Sequence, residues 1–418
     1  MAIFKTSYSL FVAQLIGGLG LKMDRLKIIY KIHRFNGGAP RSLLAFAKVM
    51  KSLGHEVIAI GEPGPVQKSW EEAGIKVFKS RMCKRKKPFY YWSETQELKE
   101  VIADFAPDVI QTATIYEGFL LRFLVPNIPI LQTIPGGDSP TSHLLIWRDL
   151  PVVGFSNECL KKLRSQIPEY RGRIWLRKER LDIKYFVEKA KEKPHQTLPS
   201  KPIILHVSRL EGNKVESVMQ IIEAYCELSK KRIKASLVIV GGGEKEYFLR
   251  EFANKKSHCL TNASIMFTGT VENPYPYYLN ADIITGAGRS VLEGMVFAKP
   301  AIVIGELGSA GIVNETTAQT IMDYNFSGRN LEKKTTINDL VNDLLILLKN
   351  EEYYRQCAAF SKEFVLREYD VWSYTNEIEE MYRECASSID CLPSHSLIFF
   401  EGMKLFTSAA LKKALGWY

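Results

Sequence analysis

Glu293 lies in "GAGRSVLEGMVFAKP", between an apolar run that ends in glycine and a second run, "PAIVIG". A carboxylate there can accept hydrogen bonds from two neighbouring hydroxyls or favour a helix dipole; the stretch alone leaves both open. "VSRLEGNK" supplies the opposite charge, with Arg209 closing one apolar run and Lys214 starting the next helical one. That spacing brings a guanidinium fork and an ammonium point charge to one anion, or leaves two solvated loop cations. Three glycine turns, "FNGGAP", "VGGGEKEY" and "TGAGRSVLEG", allow a ligand to approach backbone closely. The chain has neither a G-x-G-x-x-G turn opening its first strand–helix unit nor a G-x-x-x-x-G-K-[ST] loop. It also lacks D-x-D, C-x-x-C and H-E-x-x-H, so nicotinamide, P-loop and zinc chemistry are not expected, nor any bound metal.

The elements that must position these groups alternate. "KIIYKI" reads as a strand and "PRSLLAFAKVMKSLG" as a helix, with Leu43, Phe46, Ala47, Met50 and Leu53 on one face and Gly54 as its stop. "HEVIAIG", "IKVFK", "PDVIQTA", "IPILQTIPG" and "PVVGFS" follow as strands, with helices between several of them. The polar, proline-punctuated "VEKAKEKPHQTLPSKP" (187–202) reads as a linker and hinge, after which the alternation restarts at "IILHVSRL". Such alternation implies parallel sheets covered on both faces. The expected fold is therefore α/β, two doubly wound Rossmann-like domains facing each other, with ligand between the carboxyl ends of the sheets. The expected divisions are an extension over 1–22, a first domain over 23–190 and a second over 191–370. A crossover helix over 371–392 and an amphipathic tail over 393–418 complete the chain.

A net charge of +10 and a pI near 9.0 suit anionic partners. The densest basic run, "RMCKRKKPFYYW" (81–92), reads as a solvated loop, and no nucleic acid is expected. Seven scattered cysteines in odd number fit a reducing cytoplasm. The first 22 residues weakly imitate a signal peptide, but Met23 reads as the start of the fold. No run reaches the ~18–20 apolar residues of a membrane span. Residues 397–418 read as an amphipathic helix with lysines on one face. Peripheral contact with an anionic membrane face and docking onto the protein itself both remain open for it.

From residue 26 to 385 the chain resembles the family-4 type of retaining glycosyltransferases, which have the two-domain GT-B fold. "NGGAPRSLLAFAKVMKSLGHEVIAI", "HVSRLEGNKVESVMQIIEAY", "LVIVGGGEKEY", "FTGTVEN" and "GRSVLEGMVFAKPAIV" match its segments in order, and "NFSGR" (325–329) resembles a segment that some members carry. The resemblance implies that Glu293 binds the ribose of a nucleotide-sugar donor and that the backbone amides of Ser290 and Val291 meet the diphosphate. It further implies that Arg209 and Lys214 stabilise the departing diphosphate, that Gly37 and Gly38 close over the donor, and that Val271 lies near the base. The nucleotide sugar is then a co-substrate, with no separate cofactor, and the acceptor is a glycan, a lipid or a small molecule.

Two positions depart from the family pattern. Thr285 stands where a second glutamate contacts the donor sugar, and Pro135 where a histidine does; Asp138 or His143 are candidates to replace the lost contact. A nucleotide-binding protein without turnover, a nucleotide-sugar epimerase and a phosphorylase-like GT-B enzyme are the competing expectations.

Overall fold

The computed structural model describes residues 25–80, 88–136, 149–178 and 180–388. The N-terminal extension, most of the basic run, Asp138, His143 and the tail lie outside the described residues. The first domain runs β1 (Lys27–Arg34), α1 (Gly38–Ser52), β2 (Glu56–Glu62), α2 (Gln67–Glu72), β3 (Lys76–Lys79), α3 (Pro88–Phe105) and β4 (Val109–Thr112). It continues through α4 (Ile115–Leu124), β5 (Ile130–Ile134), β6 (Val152–Gly154), α5 (Asn157–Gln166) and β7 (Ile174–Leu176). These strands form one parallel sheet in the order β3-β2-β1-β4-β5-β6-β7.

β4, β5 and β6 are buried along their whole length, as strands covered on both faces must be. In α1, Leu43, Phe46, Ala47 and Met50 face the core as expected. Leu53 does not: it is the C-cap and is 40% exposed, because the chain turns away there through Gly54 at φ 92°.

α6 (Ile183–Lys189) extends three residues into the expected linker, so the irregular connection starts at Ala190. The second domain then runs β8 (Ile203–Val207), α7 (Lys214–Lys230), β9 (Ser236–Val240), α8 (Glu246–Ser257), β10 (Ile265–Phe267), α9 (Tyr275–Asn280) and β11 (Ile283–Gly286). α10 (Arg289–Met295), β12 (Ala301–Gly305), β13 (Gly308–Ile312), α11 (Ala318–Asp323), α12 (Ile337–Lys349) and α13 (Glu351–Tyr369) follow. Its sheet has the order β10-β9-β8-β11-β12-β13, parallel except for β13. A capping box starts α12, where the Thr336 side chain accepts from the Asp339 amide and the Asp339 carboxylate from the Thr336 amide.

The chain then returns to the first domain through a 3-10 turn (Val371–Tyr374) and α14 (Thr375–Ala386). Val371, Ile378, Met381, Tyr382 and Cys385 join the core beneath α1, and the Tyr382 hydroxyl lies 2.6 Å from that of Tyr30. Further ties cross between the domains. Arg329 grips Glu158 with two bonds of 2.7 and 2.6 Å, and Asn157 Nδ2 donates to Asp323 at 2.7 Å. The two domains are therefore held face to face from several directions.

Candidate active site

Each sheet reverses its winding once, between β1 and β4 in the first and between β8 and β11 in the second. Crevices open at such points on the carboxyl side of the strands. Here both contribute to one cleft of about 590 Å³. The first domain lines it with Asn36–Ala39, Arg41, Ser42, Pro135 and Phe155, the second with Ser208, Arg209, Lys214, Gly241–Gly243, Thr270, Val271 and Ala287–Ser290, and with Glu293 and Asn325.

Glycine is required where backbone forms the wall. Gly288 enters α10 at φ 71°, and at Gly241 (φ 139°) an added Cβ would overlap the Ser208 carbonyl oxygen. Of the two amides expected to meet phosphate, only that of Ser290 belongs to a residue lining the cleft. The Val291 side chain is buried and its N–H donates to the Gly288 carbonyl at 3.2 Å, because the first turn of α10 closes through that bond.

The cations separate. Arg209 is more than half exposed and donates to Glu211 at 2.6 Å, so it is already paired at the rim. Lys214 begins α7 and has no carboxylate partner among the described residues. Burial, and then the charges of Arg329 and Arg209, pull its pKa below the ordinary lysine value. An anion arriving beside Lys214 would offset these effects by favouring the charged ammonium.

Glu293 is 5% exposed and lies past the first turn of α10, so it does not act as a helix N-terminal charge. Its Oε1 accepts from Arg289 Nε at 2.8 Å and its Oε2 from the Tyr278 hydroxyl at 3.3 Å. A carboxylate offers about four acceptor sites, so capacity for two hydroxyl donors remains. Arg289 was not anticipated, although the spacing of 289 and 293 is that of an i,i+4 helical ion pair. Nor was Arg41, which enters the cleft from α1. Burial opposes its charge, but Tyr275 and Glu293 outweigh that and hold its pKa above the usual value.

Neither position that departs from the family pattern offers a side chain to replace the missing contact. Thr285 is fully buried in β11, where its hydroxyl donates to the Leu205 carbonyl at 3.1 Å and accepts from His206 Nδ1 at 3.0 Å. Burial, and then Lys214, push the His206 pKa down to about 3, so this imidazole is neutral, and its Nε2 has no hydrogen-bond partner among the described residues. Pro135 does line the cleft, and its carbonyl accepts from Asn325 Nδ2 at 2.9 Å.

Two facing doubly wound domains with the ligand crevice between their carboxyl edges define the GT-B architecture. Residues 36–178 match the model of Glycosyltransferase Family 4 and residues 187–364 that of Glycosyl transferases group 1, together most of the chain. The chain belongs to this glycosyltransferase family. Similar structures include a glycosyltransferase from Rickettsia africae, 19% identical over 87% of this chain and 99% of that one, with a TM-score of 0.65. Anabaena HepE in complex with UDP is 14% identical over 86% and 100%, at 0.61. The UDP-GlcNAc 2-epimerase from Neisseria meningitidis is 15% identical over 85% and 100%, at 0.57. No curated protein matches the sequence. No helix among the described residues is long and apolar enough to cross a membrane.

Proposed function

We propose that the protein transfers a sugar from a nucleotide-sugar donor to a glycan, lipid or small-molecule hydroxyl, with retention of anomeric configuration and without a divalent metal. The observation that carries this reading is the pairing, within one cleft, of a buried carboxylate with spare acceptor sites and a partly buried lysine that has no carboxylate partner among the described residues. Glu293 takes the ribose hydroxyls, Val271 borders the base, and Gly37 and Gly38 close over the donor from the first domain. The bond between the anomeric carbon and the diphosphate oxygen breaks and its electron pair leaves with the diphosphate, while the acceptor hydroxyl oxygen bonds to the anomeric carbon on the same face and its proton passes to the departing diphosphate. Lys214, supported by Arg209 and the Ser290 amide, meets that growing charge, a role worth ~3–4 kcal/mol for one well-placed group. The second reading is an epimerase acting on the nucleotide sugar itself, favoured by the likeness to the Neisseria enzyme.

A thermal-shift panel of nucleoside diphosphates and their sugars identifies the donor, since a ligand of the native state raises the melting temperature. UDP leads the panel because Anabaena HepE was seen with it. Proton NMR of the products then decides. A new glycoside with the donor's anomeric configuration supports transfer with retention, an altered sugar still on its nucleotide supports epimerisation, and binding without turnover overturns both.

A further inference from the structure

Arg289 joins three parts of the molecule through one guanidinium. Nε donates to Glu293 at 2.8 Å, while Nη1 donates to the Ser42 hydroxyl of α1 at 3.1 Å and to the Arg180 carbonyl at 3.0 Å. Its side chain is 12% exposed and lies over the Phe186 ring, 5.5 Å from the centroid. Ser42 in turn donates to the Gly38 carbonyl at 3.1 Å, so the same hydroxyl ties down the glycine turn of the first domain. Arg289 Cδ sits where a Cβ on Gly38 would find it at 3.9 Å.

The geometry points to Arg289 as a positioning residue that makes nucleotide recognition and closure of the two domains a single equilibrium. The inference rests on the nucleotide-sugar reading above and deepens it. A guanidinium is planar and its donors have fixed directions. The plane that satisfies Ser42 and the Arg180 carbonyl on one edge is also the plane that presents Nε to Glu293. When the first domain moves away, Nη1 loses Ser42 and the charge regains water. The Glu293–Arg289 bond then competes with solvent, and the longer bond from Tyr278 holds the carboxylate less firmly. Glu293 is therefore best ordered for ribose when α1 is docked. A nucleotide bound to the ordered carboxylate must favour the docked state by the same factor, as linkage requires.

The test is a double-mutant cycle on the full chain, with UDP as the probe and calorimetry as the readout. Ser42→Ala should weaken UDP by about 3- to 10-fold and Arg289→Met by about 10- to 100-fold. The double variant should bind nearly like Arg289→Met alone, because Ser42 reaches Glu293 only through the guanidinium and its bond to Gly38 stays within α1. Arg289→Lys keeps the charge but cannot reach Glu293 and Ser42 together. It should recover part of the affinity, and adding Ser42→Ala to it should change nothing. Effects that multiply in the double variant overturn the proposal. Small-angle scattering of the ligand-free chains provides an arm without nucleotide: Arg289→Met and Ser42→Ala must both give a larger radius of gyration than wild type. Equal radii overturn the coupling even if UDP binds, whereas larger radii with no UDP binding by wild type uphold it and count against uridine recognition instead.

Discussion

Replacing Glu293 by Gln keeps the shape of the side chain and removes its charge. In the structure the carboxylate holds Arg289 and Tyr278 and keeps sites free for two hydroxyls. Hydrogen bonds to a charged group contribute about 1.5–3 kcal/mol each in net terms. Losing the equivalent of one such bond to ribose should weaken nucleoside diphosphate binding by about 10- to 150-fold. The contact exists in ground and transition states alike, so the donor KM should rise while kcat stays within a factor of about 3. Stability falls too, because the side chains of Glu293 and Arg289 are only 7% and 12% exposed and the substitution leaves a buried guanidinium without its anion. The assay pairs calorimetric titration with nucleoside diphosphate and steady-state kinetics on the identified donor, with circular dichroism to establish folding. A folded Glu293→Gln chain with unchanged nucleotide affinity refutes the ribose assignment and leaves Glu293 as the partner of Arg289 only.

Lys214→Ala should lower kcat by roughly 10²–10³, because Lys214 faces charge that grows as the bond breaks; Arg209→Ala, already paired at the rim with Glu211, should lose less. Since the Lys214 pKa lies below the ordinary lysine value, a bound diphosphate should raise it, and titration in alkaline buffers of differing ionisation enthalpy should show proton uptake that is absent in Lys214→Ala. Glu117 is buried against Lys31 at 2.8 Å. Burial raises its pKa, but Lys31, His33 and Thr114 outweigh that and bring it down to about 2. A depressed carboxylate stabilises the fold above its unfolded value near 4.5 and loses that contribution as pH falls toward 2, about 3 kcal/mol in all. Glu117→Gln should flatten the melting temperature over that window and cost about 3–5 kcal/mol at neutral pH by stranding Lys31; an unchanged acid profile would remove the assignment. For residues 397–418, co-flotation with acidic liposomes should be stronger for the full chain than for one ending at Pro393, and equal flotation would exclude membrane contact.

Much of the architecture was legible in the sequence because its signals are local. Apolar runs such as "ASLVIVGGG" and "ADIITGAG" end in glycines and alternate with 3.6-residue periods, and that pattern alone implies parallel sheets with ligand turns at their carboxyl edges. The elements that escaped notice carry little local signal. β7 has three residues, β13 reads "GSAGI", and α4, "IYEGFLLRFL", is apolar nearly all round and shows no clean face. The residue types of the site were legible as well, since Glu293, Lys214 and the glycine turns all reach one cleft. Their partners were not legible, some of them local and some brought close only by the tertiary fold. Arg209 turns to Glu211, Thr285 disappears into β11 beside His206, and Val291 spends its amide on Gly288. Arg289 meets a serine 247 positions away in sequence. Periodicity encodes which face of an element is buried. Which charges meet across the cleft depends on how the two sheets dock, and no local pattern records that.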